Sequence, residues 1–265
     1  MNVNCVLVTG DLRALLVDTG STREEGLELR RAVEAQLEGR ELAVVNTHAH
    51  YDHCFGNSAF EDVASYASRG CVADLVRSGS AQRRLAAESF RVTDPGFADR
   101  LDSAPISVAR QLVDGTEILD LGGVRAELRV MGRGHTDHDL IVVLPELGAV
   151  VAADLVEEGG LPALEDAYPL SWPRALARIL ELRPELVVPG HGRTVSPQFV
   201  AEQLEQLRRL AKWCRRQLEG GCGPAAYEGP FTSEHLRTAL ERARIELSAG
   251  SAPGEPTGPQ SGPLA

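Results

Sequence analysis

The sequence lacks the features by which membrane and secreted proteins are recognised. It has no run of 18 or more apolar residues, so no membrane span is predicted. Residues 1–5 show neither the basic stretch nor the apolar core of a signal peptide. The five cysteines are odd in number and form no Cys-x-x-Cys pair, which favours reduced thiols over a disulfide framework. We therefore expect a cytoplasmic protein.

Basic charge is also scarce. The chain has 27 Lys and Arg against 38 Asp and Glu, a formal net charge of -11, and Lys212 is its only lysine. This acidity argues against a nucleic-acid binder, which usually presents a basic face, and leaves a small molecule as the expected partner. The preference for arginine over lysine is typical of a GC-rich bacterial genome.

What is present is the composition of an ordinary globular protein. Hydrophobic residues make up 43% and charged residues 25% of a chain of 265 residues, which is long enough for a large core. We predict one domain over residues 1–247. Residues 248–265 are rich in Gly, Pro and Ser and contain few core-forming side chains, so we predict a disordered tail.

The hydrophobic pattern predicts an α/β protein. Two short strands are expected within residues 6–17, then a helix capped by Thr22, and then the apolar strand Leu42–Val45. Residues 91–110 look loop-rich. Further strands are predicted at 63–66, 124–130, 140–144, 149–153 and 186–188, and further helices at 71–90 (interrupted at 78–80), 172–182, 197–218 and 232–247.

The segment His48-Ala49-His50-Tyr51-Asp52-His53 directly follows the strand at residues 42–45 and predicts a metal site. Imidazole and carboxylate groups are good ligands for zinc or iron, and no thiolate is needed. In a tight loop, residues i and i+2 can point at one metal while i+4 and i+5 point at a second. This is the arrangement of a two-metal hydrolytic site. The alternative is a histidine-rich surface loop that traps metal adventitiously.

Three later segments each place a potential ligand just after a predicted strand. They contribute His135 from a Gly-rich turn, Asp154 from the end of an apolar run, and His191 from Pro189-Gly190-His191-Gly192. Each is weak alone, since an aspartate in that place is as typical of a helix cap or a turn. Their order along the chain, each after a predicted strand, supports the interpretation of all three as metal ligands.

With these motifs in sequence, the chain resembles the metallo-β-lactamase-fold hydrolase superfamily over about residues 3–195. The resemblance implies a four-layer αββα sandwich of α/β (α+β) class, with the metals at one edge between two β-sheets. It implies two divalent metal ions, with zinc favoured and iron or manganese also suitable. The implied first-metal ligands are His48, His50 and His135, and the second-metal ligands are Asp52, His53 and His191. Asp154 would bridge the two metals and Asp18 would support the metal loop.

Two departures from the family pattern carry expectations. Ala153 stands where the family usually has glycine before the bridging aspartate, so a shifted Asp154 backbone is expected. The chain begins close to the strand that precedes Asp18. A short first sheet, or a sheet edge covered by a partner subunit, is therefore expected. A homodimer and a monomer are both compatible with the sequence.

The resemblance also implies the chemistry. A hydroxide bridging two metals would attack a small ester, thioester, lactone or amide, and Asp52 would orient it and pass a proton to the leaving group. The aspartate at position 154 resembles the bridge of glyoxalase II-like thioesterases, lactonases and phosphodiesterases. Zinc β-lactamases with a cysteine ligand carry that cysteine here instead. Asp137 stands where glyoxalase II-like enzymes have Pro-Gly, so the chain fits best a broad bacterial branch of metallo-hydrolases.

Two other functions stay open from the sequence: a mononuclear iron-dependent oxidoreductase that oxidises thiols, and a binding module that has kept the fold. A substrate-facing apolar wall is also considered, with Arg133 meeting an anionic group. The alternative is that Phe55 and Trp172 pack in the core and Arg133 is solvated. The candidate wall residues are Tyr51, Phe55, Tyr168 and Trp172.

Overall fold

Two five-stranded β-sheets lie face to face, and helices cover both outer sides, in a computed structural model that describes residues 3–220 and 227–248. This arrangement confirms the expected α/β architecture of four layers. The first sheet contains, in spatial order, β1 (Val6–Thr9), β2 (Arg13–Val17), β3 (Glu41–Asn46), β4 (Ala64–Ser68) and β5 (Gln111–Val113). The second contains β6 (Thr116–Asp120), β7 (Arg125–Gly132), β8 (Asp139–Leu144), β9 (Ala149–Glu157) and β10 (Leu186–His191).

The connections decide which strands run parallel. Strands β2 to β5 are parallel to one another, and β9 is parallel to β10, whereas β1–β2 and β6 through β9 pair in antiparallel fashion. Parallel neighbours need crossover connections, which helices supply here. The helices are α1 (Arg23–Leu37), α2 (Tyr51–Cys54), α3 (Arg69–Phe90), α4 (Pro95–Ser103), α5 (Trp172–Glu181), α6 (Pro197–Leu218) and α7 (Ser233–Ser248).

Side chains of the central strands point alternately into two parts of the hydrophobic core, one between the sheets and one beneath the outer helices. On β2, Leu15 and Val17 face the space between the sheets, while Leu16 faces Val33 of α1. Successive side chains of a strand point to opposite faces, so a strand that is apolar at every position requires cover on both sides. The second sheet is covered in the same way by α5, α6 and α7.

Two sequence predictions about helices are wrong. Helix α3 is unbroken through Ser78–Ser80, and the missing side chain of Gly79 leaves room for Ile106 to pack against the helix. Helix α4 lies in the region predicted to be loop. Two features of the sequence indicate the start of this helix. Asp94 is the N-cap residue, whose side chain accepts from the backbone N–H of Phe97, and Pro95 occupies the first helical position.

Two expectations concern the ends of the chain. The first sheet has five strands, as many as the second. The predicted disordered tail lies outside the described residues, apart from Ser248, which ends α7. Among the described helices, none is long and apolar enough to cross a membrane.

The sequence predicts that strand β9 ends before Asp154. The strand instead continues to Glu157 and carries a bulge next to Asp154. The register to β10 pairs Val151 with Val188 and then Ala153 with Pro189, so one residue of β9 is extra. Ala153 has a φ of 47°, in the left-handed region that glycine favours. The departure from the family glycine is therefore a point of backbone strain.

Replacing Ala153 with glycine tests this strain. Left-handed backbone costs a residue with a Cβ about 1–2 kcal/mol. Ala126 of β7 is a matched control, because it is equally buried but lies in regular strand pairing with ordinary φ. Both substitutions lose a buried methyl group and add chain entropy to the unfolded state. Both substitutions should lower the free energy of unfolding. We expect the decrease for Ala153→Gly to be about 1–2 kcal/mol smaller than the decrease for Ala126→Gly, as measured by urea titration. Equal losses would contradict the strain.

Candidate metal centre

All seven predicted ligand side chains converge at one edge of the sandwich. Their ligand atoms form two groups, and within each group the atoms lie within 4.8 Å of one another. The side chains come from the segment after β3, the turn after β7, the bulge of β9 and the end of β10. The first group is His48, His50, His135 and Asp154, and the second group is Asp52, His53 and His191.

In the first group, imidazole nitrogens face one another at close range. Nδ1 of His50 lies 3.0 Å from Nε2 of His48 and 2.9 Å from Nε2 of His135. Oδ2 of Asp154 lies 3.7 Å and 3.5 Å from the same two Nε2 atoms. Nitrogen and oxygen donors aimed at a common point are what a divalent ion with bonds of about 2 Å requires, so the donor set fits a metal.

The second group meets the first at Asp154. Oδ1 of Asp154 lies 3.1 Å from Nε2 of His53, and Oδ2 of Asp52 lies 3.2 Å from Nε2 of His191. Nε2 of His53 and Oδ1 of Asp154 are buried and have no hydrogen-bond partner within the described residues. A buried polar atom without a partner costs about 1–3 kcal/mol, a cost that metal coordination removes. This second donor set therefore also fits a metal.

A further shell of hydrogen bonds fixes which nitrogen of each ring faces the group. Nε2 of His50 donates to Oδ2 of Asp166 at 2.8 Å, which leaves Nδ1 as its ligand atom. Nδ1 of His53 donates to Oδ2 of Asp18 at 2.8 Å, which leaves Nε2. Carboxylates in this position orient a ligating imidazole and make it more basic. The sequence indicated Asp18 but not Asp166, which lies in an irregular segment without a recognisable motif.

Asp18 also holds the backbone of the histidine segment. Its Oδ1 accepts from the N–H of Thr47 at 2.9 Å, and its Oδ2 accepts from the Thr47 hydroxyl at 2.7 Å. Its φ of 61° places it in the left-handed region, which aspartate tolerates better than most residues. Asp18 therefore joins the end of β2 to the end of β3, in the supporting place that the resemblance implied.

The end of β10, which carries His191, is held by a residue that the sequence did not indicate. The side-chain amide of Asn4 donates to the carbonyls of Pro189 and Gly192, both at 2.9 Å, and its backbone N–H donates to Gly190. A Cβ on Gly190 would lie 1.7 Å from Oδ1 of Asp154, so only glycine fits there. His191 is the last residue of β10 and not, as predicted, part of a loop after a shorter strand.

His138, one of two histidines outside the predicted ligand set, has a supporting place. Its Nε2 accepts from the backbone N–H of Ala49 at 3.1 Å, and its Nδ1 donates to Asp137 at 2.7 Å. Ala49 lies between two ligands of the first group, so this buried imidazole holds the backbone of the motif. The sequence gave no signal for it, because the two segments are far apart along the chain.

The residues considered for an apolar wall divide into two kinds. Phe55 and Trp172 are fully buried and pack in the core, where the Trp172 ring lies 5.6 Å from the ring of His135. Tyr168 is half-buried, and the guanidinium groups of Arg133 and Arg242 lie 5.0 and 5.2 Å from its ring centre. Arg133 is thus held against an aromatic ring near the site rather than simply solvated.

Without metal, the ligands separate into protonated and neutral imidazoles. Burial alone would lower the pKa of His50, but the hydrogen bond to Asp166 and the nearby charges of Asp166, Asp52 and Asp154 together raise that pKa to about 9. Hydrogen bonds to Asp154 and Asp52 raise the pKa of His191 to about 10. Burial lowers the pKa of His135 to about 4. At neutral pH, protons on His50 and His191 therefore offset the carboxylates of the metal-free site.

Comparison with known proteins agrees with this geometry. A family model described as the metallo-beta-lactamase superfamily matches residues 1–191. A metallo-beta-lactamase type 2 from Bacillus sp. (strain 170) is 28% identical over 199 residues, and one from Bacillus cereus is 25% identical over 200 residues. Each alignment covers 73% of this chain and 68% of the relative.

Solved structures show the same fold. The metallo-beta-lactamase from Pontibacter korlensis superposes with a TM-score of 0.61 at 21% identity, over 78% of this chain and 87% of that chain. The metallo-beta-lactamase FIM-1 from Pseudomonas aeruginosa, in a mono-zinc form, gives a TM-score of 0.62 at 18% identity, over 79% and 84%. At these identities the likeness concerns the fold alone.

Metal uptake should depend on pH. A divalent ion must displace the protons that His50 and His191 carry below their raised pKa values of about 9 and about 10. We therefore expect metal affinity to rise as the pH increases from 6 to 9, with protons released on binding. Isothermal titration calorimetry in two buffers of different ionisation enthalpy measures both. An affinity that does not change with pH would contradict this protonation pattern.

Asp18→Asn tests the support of His53. The amide nitrogen cannot accept the Nδ1–H of His53 as the carboxylate does, so the ring loses its orienting partner. We expect metal affinity at one site to fall by about 10–100-fold, as measured by chelator competition. Asp11→Asn, an exposed substitution in the β1–β2 turn, is the control and should leave affinity unchanged. Unaltered affinity in both variants would rule out the supporting role of Asp18.

Proposed function

Because the chain belongs to the metallo-beta-lactamase superfamily, we propose that it is a dinuclear metal-dependent hydrolase of a small ester, thioester, lactone or amide. The observation that carries the proposal is the pair of adjacent donor groups that meet at one carboxylate, Asp154. Members of this superfamily are mostly metal-dependent hydrolases.

The completeness of the second donor group supports two metals. A protein that used one metal would need only the three histidines and the aspartate of the first group. Here Asp52, His53 and His191 also converge, and Asp18 orients the ring of His53. Imidazole and carboxylate donors favour zinc, and they also suit iron and manganese.

When bound, divalent metal ions would polarise the scissile carbonyl and lower the pKa of a water molecule toward neutrality. The protein itself supplies a base. Burial alone would raise the pKa of Asp52, but the nearby charge of His53 and the hydrogen bond from His191 hold that pKa below its usual range. An ionised Asp52 can orient the attacking water and then pass a proton to the leaving group.

The identity of the bridging residue bears on the substrate. Asp154 gives an oxygen donor at the position where the cysteine-ligand β-lactamases of the resemblance carry sulfur, and this favours a glyoxalase II-like, aspartate-bridged hydrolase. The two Bacillus relatives, however, are metallo-beta-lactamases. Because a β-lactam is a cyclic amide, it falls within the proposed class and belongs in the same screen as thioesters and lactones.

Metal content is the decisive measurement. We expect about two equivalents of zinc per chain by elemental analysis of protein purified without added metal. We expect Asp154→Ala to lose metal and hydrolytic activity together, because Asp154 contributes to both groups. Asp114→Ala is the matched control, since Asp114 forms a surface ion pair with the exposed Arg69 and belongs to neither donor group.

The outcomes separate the alternatives. Full activity of Asp154→Ala with two metals retained would reject the bridging role. One iron per chain would favour the thiol-oxidising oxidoreductase, and thiol oxidation would then be the assay to run. A wild-type chain that takes up no metal would favour a binding module.

A further inference from the structure

Helix α7 lies beyond residue 191, where the family match ends, yet two of its side chains hold a segment of the candidate metal centre. Arg242 and Glu246 are four residues apart and therefore lie on the same face of the helix. Both contact residues 166–171, the irregular segment between β9 and α5. We call residues 166–171 the bracing loop.

Arg242 fixes the start of the bracing loop. Its Nε donates to the carbonyl of Ala167 at 2.9 Å, and its Nη2 donates to the carbonyl of Asp166. The planar guanidinium also lies 5.2 Å from the ring centre of Tyr168. A rigid fork that donates to two successive carbonyls restricts the backbone there more than a single hydrogen bond would.

Glu246 fixes the end of the same loop. Its side chain is buried, its Oε2 accepts from the backbone N–H of Leu170 at 2.9 Å, and its Oε1 accepts from the hydroxyl of Ser171. Burying a carboxylate is costly unless hydrogen bonds compensate it, so these contacts hold the loop firmly to α7. Ser171 directly precedes α5, and the loop is thus tied to two helices.

The bracing loop in turn reaches two histidines of the first donor group. The carboxylate of Asp166 accepts from Nε2 of His50 at 2.8 Å. The backbone N–H of Tyr168 donates to the carbonyl of Gly134 at 2.9 Å, immediately before His135. Contacts from α7 to the bracing loop, and from the loop to His50 and to the residue before His135, therefore connect the helix with the first donor group.

We propose that α7 is a positioning element for the first metal, and that Arg242 acts on His50 through Asp166. The inference rests on the proposed function, since it assigns a role at the same metal centre. It explains why a helix outside the matched region presents two charged residues inward. Neither residue touches the ligand atoms, so both are positioning residues and not catalytic ones.

A double-mutant cycle in cobalt-loaded protein tests this role. Loss of a partner of a ligating imidazole typically lowers metal affinity by about 10–100-fold, so we expect Asp166→Ala to fall in that range and Arg242→Ala to lose about tenfold. If Arg242 acts through Asp166, the double variant should bind no more weakly than Asp166→Ala alone. Affinity is measured by chelator competition and the cobalt environment by its visible absorption.

Arg244→Ala is the matched control, because Arg244 is an exposed arginine on the same helix. It should leave the affinity and the spectrum unchanged. Glu246→Gln provides a second, milder variant in case Arg242→Ala fails to fold, since the amide keeps one accepting oxygen. It should shift the cobalt spectrum in the same direction by a smaller amount, with circular dichroism unchanged.

Three results would overturn the inference. Wild-type affinity and spectrum in folded Arg242→Ala would do so, as would an unchanged spectrum in Glu246→Gln. Additive losses in the double variant would also overturn it, because they would mean that Arg242 acts by another route. A wild-type chain that takes up no cobalt would instead overturn the proposed function, and this inference with it.

Discussion

The position of Asp154 is the constraint on which the rest of the site depends. Its two carboxylate oxygens face different imidazole rings. Oδ1 lies near His53, and Oδ2 lies near His48, His135 and His191. The backbone on both sides serves this placement. A bulge in β9 with a left-handed Ala153 turns the aspartate toward the sheet edge, and the absent side chain of Gly190 leaves room for it. Strain at one residue is thus accepted where two strands meet around a carboxylate.

Support for the ligands comes from elements far apart in the sequence. Asp18 at the end of β2 orients His53, Asn4 near the start of the described chain secures the end of β10 at His191, and Asp166 orients His50. The candidate ligands lie on several different elements and on the segments that join them. Hydrogen bonds from several independent elements therefore supply the rigidity that metal coordination needs.

The residues of the candidate ligand set could be found in the sequence because they stand in short motifs, and the order of these motifs carried the family resemblance. The His-x-His-x-Asp-His segment and the turns around His135 and His191 follow predicted strands, and the structure brings the ends of these strands to one edge of the sandwich. Regular elements could also be predicted from the sequence, as in α6, where the predicted bounds match those observed. The supporting residues could not be predicted in this way. Asn4 and Asp166 lie in irregular segments, and their roles depend on partners that only the tertiary fold brings close. Helix α4 was missed although Asp94 and Pro95 carried its signal.

Charge balance links the two donor groups to their supports. Four carboxylates, Asp18, Asp52, Asp154 and Asp166, contact the ligand rings or belong to the ligand set. With all imidazoles neutral, this charge of about -4 equals in magnitude that of two divalent cations, so a dinuclear centre leaves a nearly neutral buried site. In the metal-free molecule the same carboxylates raise the pKa values of His50 and His191, so protons take up part of that charge. Asp18 and Asp166 therefore do more than orient rings, because their charge adds to that of Asp52 and Asp154 in favouring the proposed pair of divalent ions.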